Sequence, residues 1–298
     1  MTYFLNLVVG GIFTGSFFAL LALSYTIIYG VLRLINFANG SLYALGAYIG
    51  YSMLVLLRGW PAVLAILAAI VVASGVCGAL SVGIERIAYR PLRQQPVLIM
   101  MISALGVAYV IQNTILVIPA WGAPARFYNA SIGTGVLQFG GVRISVGQLV
   151  IFIVAVTLLA TLTWLTTRTN FGMAIRAIAT DQYAARLIGL RINSLMARTF
   201  LISGVVTGVT GVLAGLYYHS ITYDIGFNAG IVAFTAAVAG GIGNVPGAAL
   251  GGLLLGVLNS LGTGYLGAEW QDVFAFVALI AVLSFRPQGI LGELVAER

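Results

Sequence analysis

The side chains of this chain that could do chemistry are few. It has seven carboxylates, one histidine, one cysteine and fourteen basic residues, and every basic residue is an arginine. A Walker A loop needs a lysine to reach nucleotide phosphates, and a Schiff-base site needs a lysine amine, so neither can be built here. Cys77 and His219 lie in separate stretches and make no recognisable metal site. A single cysteine excludes a disulfide framework, and within an apolar run it is expected to be a buried, inert thiol. Asp224, Glu269 and Asp272 fall at the ends of apolar runs, and Glu85 lies beside Arg86, so no Ser/His/Asp arrangement suggests itself. The chain is expected to catalyse nothing and to need no cofactor of its own. Any ATP hydrolysis serving it must occur on another polypeptide.

Uncharged polar residues offer more. Asn36, Asn39 and Ser41 interrupt an apolar sequence where a new helix begins, the position at which such side chains cap free backbone amides. A helix start also presents partial positive charge to an anion, and broken helices in transporters can present such ends to a carboxylate. Capping and substrate-pathway lining are both open readings of the three residues.

The elements that must carry these groups are membrane spans. Hydrophobic residues make up 61% of the 298 and charged residues 7%, with mean hydropathy +1.08, far from a soluble domain at about 25% charged. A bilayer core of about 30 Å takes roughly 20 helical residues to cross. Apolar runs fall at residues 4–31, 40–57, 61–84, 96–118, 146–167, 195–217, 227–242, 247–265 and 270–286. The runs at 227 and 247 are short and glycine-rich, so the expectation is an all-α polytopic protein of eight or nine spans. The first run is as long as a complete span and is expected to stay as a helix rather than be cleaved. Short cytoplasmic loops retain basic residues. With nine spans and the N-terminus outside, the cytoplasmic segments hold Arg33, Arg86, Arg90, Arg93, Arg168, Arg176, Arg186, Arg191, Arg198, Arg286 and Arg298, while Arg58, Arg126 and Arg143 lie outside. The net charge of +7 is thus a topology signal and gives no reason to expect nucleic acid. The chain reads as one transmembrane domain over 1–298, with an extracytoplasmic loop at 119–145 and a cytoplasmic segment at 168–194.

That cytoplasmic segment reads as helical from Met173 to Ile188 and ends at Gly189, a residue suited to a helix terminus. Its apolar residues do not form one clean stripe, so a small helix docking into a partner groove suits it better than a membrane-surface amphipath. Tyr183-Ala184-Ala185-Arg186-Leu187-Ile188-Gly189 resembles the coupling motif of ABC importer permeases, with Tyr183 standing where that motif often has Glu. The stretches from Tyr29 to Gly40, from Glu85 to Arg93, from Gly240 to Gly247 and from Phe285 to Gly289 resemble the branched-chain amino acid permeases and their relatives for urea and amides. In that family the first stretch usually carries a His where this chain has Asn39. The resemblance implies a bacterial inner-membrane permease that pairs with a second, identical or homologous permease. It further implies two cytoplasmic ABC ATPase subunits that bind the ATP and a periplasmic or extracellular solute-binding protein. Tyr183, Ala184, Ala185, Arg186 and Gly189 would contact the ATPase.

Phe37, Gly40, Ala47 and Gly50 recur as Phe227, Gly230, Ala237 and Gly240 at a constant offset. An inverted repeat of this kind would place a pathway at the repeat interface, adding Asn228 and Thr235 to the pathway candidates. Gly204, Gly208, Gly211 and Gly215, and Gly247, Gly251, Gly252 and Gly256, read as helix-packing faces. Two alternatives stay open: an ion-coupled carrier, for which Asp224 is the plausible relay, and a passive channel for small solutes, which would need no coupling helix.

Overall fold

A computed structural model describes residues 2–129, 135–139, 142–286 and 288–292. Arg298, Pro287 and part of the 119–145 loop fall outside the described residues, as does the side chain of Asp272. The described chain is almost entirely helical: α1 (Thr2–Leu32), α2 (Ala38–Leu56), α3 (Ala62–Ile84), a π-helical turn (Glu85–Tyr89), α4 (Val97–Val117), α5 (Val146–Arg168), α6 (Asn170–Thr180), α7 (Gln182–Leu187), α8 (Ile192–Tyr218), α9 (Ile225–Gly240), α10 (Val245–Leu266) and α11 (Gln271–Phe285). Among the described residues six helices are long and apolar enough to cross a membrane: α1, α3 with its π turn, α4, α5, α8 and α10. The apolar parts of α9 and α11 are shorter, and the first turn of α2 carries Asn39, Gly40 and Ser41. A 3-10 turn (Ala268–Trp270) and four short strands, which apolar periodicity did not foretell, complete the described structure: β1 (Arg126–Phe127) pairs antiparallel with β4 (Ser220–Ile221), and β2 (Val136–Phe139) with β3 (Val142–Ser145).

The chain divides into two compact units. One comprises residues 27–132 and 164–230. Here α3 runs antiparallel to α8. A Cβ on Gly204 would meet Cys77 and Ser81, and one on Gly208 would meet Ala73 and Cys77. Helix α2 lies parallel to α8, with Gly46 against Gly208 and Gly211 against Tyr43 and Ala47. Such close approach is what glycine allows between spans, where lipid supplies no apolar driving force and packing must serve instead. Cys77 is fully buried at this crossing and its thiol donates to the Leu42 carbonyl at 3.4 Å. At the other end of the unit, Tyr128 is wedged beside Gly50 and Gly215 and donates its hydroxyl to the Ala47 carbonyl. Its backbone amide donates to the His219 carbonyl at 3.0 Å, and Trp121 donates to Ser52 at 2.7 Å.

The other unit comprises residues 1–26, 133–163 and 231–298. Its central crossing is α1 on α10. A Cβ on Gly11 would strike Gly256, Val257 and Ser260, and one on Gly15 would strike Gly252 and Leu253. Gly252 in turn abuts Ala19. Ser260 donates to the Leu7 carbonyl at 2.7 Å and Tyr3 to the Gly264 carbonyl at 2.7 Å. Gly240 packs on Gly247, and Asn244 caps the start of α10 by accepting from the Gly247 amide at 3.2 Å. Its amide group also donates to the Leu291 carbonyl at 2.7 Å, tying down the tail that follows α11.

Candidate functional site

Helix α1 ends at Leu32, and Arg33 takes a left-handed backbone with φ 52°. That conformation costs an L-residue roughly 1–2 kcal/mol, and the Arg33 guanidinium offsets it by donating to the Ala179 carbonyl. From this exposed arginine the chain returns inward. Asn39 donates to the Ser203 hydroxyl at 3.1 Å, and Ser203 lies eleven residues past Ile192, where α8 begins. At 1.5 Å per residue, α2 therefore starts about 16 Å inside the end of α8.

A helix start at that depth leaves backbone amides that water cannot satisfy. Asn36 answers this need. Its Oδ1 accepts from the Ala38 amide at 3.1 Å and from the Tyr89 hydroxyl at 2.8 Å, and its Nδ2 donates to Asn39 Oδ1 at 3.0 Å. Asn36 is 1% exposed and Asn39 0%; Asn36 serves a backbone amide of the first turn of α2, and Asn39 joins that turn to α8. Ser41, half-buried, donates to the Ala108 carbonyl at 3.0 Å. The first turn of α9 meets the first turn of α2 backbone to backbone, because a Cβ on Gly40 would strike Gly226 and one on Gly226 would strike Gly40. Asn228 is exposed on α9, and Thr235 further along is fully buried, its hydroxyl without a hydrogen-bond partner among the described residues.

The arginine-rich end of the unit holds the segment that joins α5 to α8. It is two helices rather than the single run expected. Asp181 takes an extended backbone and caps α7, accepting from the Tyr183 amide at 2.7 Å and the Ala184 amide at 3.1 Å. An Asp that can bond the next turn's amides competes with continuing helix, which is why α6 stops at Thr180. Helix α6 is seated on the end of α5. A Cβ on Gly172 would overlap the Thr166 backbone, and Arg176 donates to the Thr166 carbonyl at 2.6 Å.

Helix α7 closes with both bonds of a Schellman cap, the Gly189 amide to the Arg186 carbonyl at 3.0 Å and the Leu190 amide to the Ala185 carbonyl at 3.1 Å. Gly189 supplies the required left-handed φ of 85°. Ala185 is buried beneath, while Tyr183, Leu187 and Ile188 are 72%, 72% and 74% exposed. Ala184, Arg186 and Gly189 are exposed beside them. Leu187 and Ile188 are the residues that sequence reasoning passed over. They make no regular stripe over residues 173–188, and only the break at Asp181 turns them outward together with Tyr183.

Residues 7–283 match the family model described as branched-chain amino acid transport system, permease component. The chain belongs to the family of branched-chain amino acid transport permeases. It is 42% identical to the high-affinity branched-chain amino acid transport system permease protein BraD of Pseudomonas aeruginosa, over 99% of this chain and 98% of that protein. It is 39% identical to the corresponding permease LivH of Escherichia coli, again over 99% and 98%, and 28% identical to a probable LivH of Methanocaldococcus jannaschii, over 95% and 91%.

In this permease one further cluster stands out. Glu85 opens the π turn at the end of α3 and is 0% exposed. Arg93 pairs with its Oε1, Arg90 approaches the same oxygen at 3.5 Å, and Arg93 also donates to Asn193 in the first turn of α8 at 2.6 Å. Burial holds the Arg93 guanidinium below its ordinary pKa, with Glu85 acting against that fall. Sequence reasoning placed Glu85 at a span end beside Arg86 and missed its pairing with Arg93. The signal was there in the eight-residue spacing to Arg93 across Pro91, a turn that folds the second arginine back over the helix end.

Proposed function

We propose that this permease is the membrane subunit of an ABC importer for branched-chain or closely related amino acids, and that α7 is the element through which separate ATPase subunits drive it. The observation that carries this reading is the outward set of Tyr183, Leu187 and Ile188 on a short, doubly capped helix. Exposed apolar side chains on a capped helix joined to a long span suit a groove in another protein, and they suit a passive channel poorly. The names of BraD and LivH assign high-affinity branched-chain amino acid transport to those relatives, and identity over nearly the whole chain supports the same solute class here. ATP binds to the ATPase subunits and no cofactor is held by this chain. A second permease, identical or homologous, and an extracytoplasmic binding protein complete the assembly in a bacterial inner membrane.

Nine spans with the N-terminus outside and the C-terminus cytoplasmic fit this assembly. The antiparallel crossing of α3 and α8 sets Arg90, Arg93 and Arg191 at one end of their unit and Arg58 and Arg126 at the other, as positive-inside retention requires. In that topology α1–α2–α3 and α8–α9–α10 form an inverted repeat. Gly11 and Gly15 meet Gly256, Ser260 and Gly252 in the register in which Gly204 and Gly208 meet Cys77, Ser81 and Ala73. The solute pathway lies near the first turns of α2 and α9, where Ser41 and Asn228 supply neutral polar groups and Asn36 and Asn39 hold the helix start in place. ATPase closure displaces α7, and the attached spans tilt.

The test is purification of this chain from its native membrane in mild detergent, with identification of copurifying proteins and an ATPase assay. The expected result is an ATP-binding-cassette subunit that is lost on Gly189→Val, a change that forces a β-branched residue into a left-handed backbone. Recovery of the permease with no ATPase overturns the importer reading in favour of an ion-coupled carrier or channel.

A further inference from the structure

Two polar clusters meet the two ends of the π turn, Glu85 opening it and Tyr89 closing it. From the base of the coupling segment, Asn193 accepts from Arg93, and Arg93 pairs with Glu85. The π turn leads from Glu85 to Tyr89, whose hydroxyl donates to Asn36. Asn36 donates to Asn39, and Asn39 to Ser203. Glu85, Tyr89, Asn39 and Ser203 are each 0% exposed and Asn36 is 1% exposed. A series of polar contacts therefore runs from the exposed Asn193 in the first turn of α8, through the half-buried Arg93 to the buried Glu85, and resumes across the backbone of the π turn from Tyr89 to the interior start of α2.

Stability alone does not explain this arrangement. A buried ion pair is commonly no better than well-packed apolar side chains of the same volume. Glu85 Oε2 has no hydrogen-bond partner among the described residues, and π turns are rare and concentrate at functional sites. A π turn that reverts to α geometry rotates the residues beyond it by about 100°, one residue's share of a helical turn. Here the residue moved would be Tyr89.

Resting on the importer reading above, we propose that Tyr89 is a positioning residue that carries movement of the coupling segment to the buried start of α2. Displacement of α7 shifts Asn193, and with it the Arg93–Glu85 pair. The π turn rewinds, and the Tyr89 hydroxyl leaves Asn36. The first turn of α2, released from α3, then shifts against α8 and α9. Tyr89 touches no solute. It acts through Asn36.

The experiment uses the complete transporter, with its ATPase subunits and binding protein, reconstituted in liposomes. Leucine uptake and ATP hydrolysis are measured together, giving solute moved per ATP. Tyr89→Phe removes one oxygen and is expected to leave hydrolysis within about twofold of the wild type while solute moved per ATP falls about tenfold, the size of a coupling term. Glu85→Gln combined with Tyr89→Phe is expected to cost no more than the worse single change, since both break one chain. A wild-type ratio in Tyr89→Phe, or losses that multiply, overturns the proposal, as does a lower yield of complex at an unchanged ratio. If Tyr89→Phe fails to assemble, Ser203→Ala breaks the last link away from the π turn, and an unchanged ratio there overturns it equally. A wild-type complex that contains no ATPase overturns the importer reading itself and is distinct from every outcome at Tyr89.

Discussion

The crossing of α1 with α10 and the crossing of α8 with α3 are built on one register, but they are filled differently. In the first, glycine faces glycine, with Gly15 against Gly252 and Gly256, so main chain meets main chain. In the second, Gly204 and Gly208 face Ala73, Cys77 and Ser81. The serines diverge as well. Ser260 donates to Leu7 at 2.7 Å, whereas the Ser81 hydroxyl has no hydrogen-bond partner among the described residues. The first crossing satisfies its serine. The other keeps a buried hydroxyl, at a cost of about 1–3 kcal/mol, one turn before Glu85 and the π turn. Departures from local optimality of this kind collect where a protein has to move.

The largest expected effect is at the closed crossing. Gly256→Leu sets a side chain into the backbone of α1, where neither helix can yield without separating, and should cost more than about 3 kcal/mol, the upper range for overpacking. Loss of monodisperse protein in detergent reads it out.

Next comes the proposed docking face of the other unit. Leu187→Asp is expected to weaken ATPase retention by about 2 kcal/mol, a hot-spot value of roughly thirtyfold, with no change in the permease's own resistance to unfolding. Quantitative copurification and a denaturant titration in detergent measure the two separately. Equal losses in both would place Leu187 in the fold and not in an interface.

A middle-sized effect tests whether the two crossings are interchangeable. Gly208→Ala should destabilise by about 1–2 kcal/mol because the new methyl meets the Ala73 carbonyl and the Cys77 side chain. Adding Cys77→Gly, which makes α3 resemble α10 at this level, should restore part of it, the contact with the Ala73 carbonyl remaining. Failure of the second change to rescue the first would mean that the shared register is not shared packing.

The smallest effect is also the sharpest. Ser260→Ala should cost about 1 kcal/mol, one net hydrogen bond, while Ser81→Ala should be neutral or slightly stabilising. Thermal unfolding of the two variants side by side decides this, and equal losses would erase the contrast between the crossings.

Much of this was readable from the sequence because apolar runs mark helices whatever surrounds them. The run at 146–167 corresponds to α5 at Val146–Arg168, the run at 96–118 to α4 at Val97–Val117, and the glycine faces fall in the crossings. Gly189 was legible as a helix end because only its backbone conformation was at issue. What escaped depends on partners distant in sequence. The interior start of α2 is set by Ser203 and Tyr89, which no local window contains. The π turn at Glu85 adds one residue to a helical repeat and looks like ordinary helix in composition. The break at Asp181 was locally available, since an Asp shortly before two alanines is a good cap, but the apolar residues on either side masked it.

Tyr128 has a consequence for how such chains can change over generations. Its ring occupies a notch cut by Gly50 and Gly215, and either glycine with a side chain would collide with it. These three residues, from two helices and the loop between α4 and β2, therefore form one unit of inheritance. A descendant that gains a methyl at Gly50 or Gly215 has to give up the tyrosine in the same lineage. Aligned descendants should show the three positions changing together, even where the rest of that loop drifts freely in sequence.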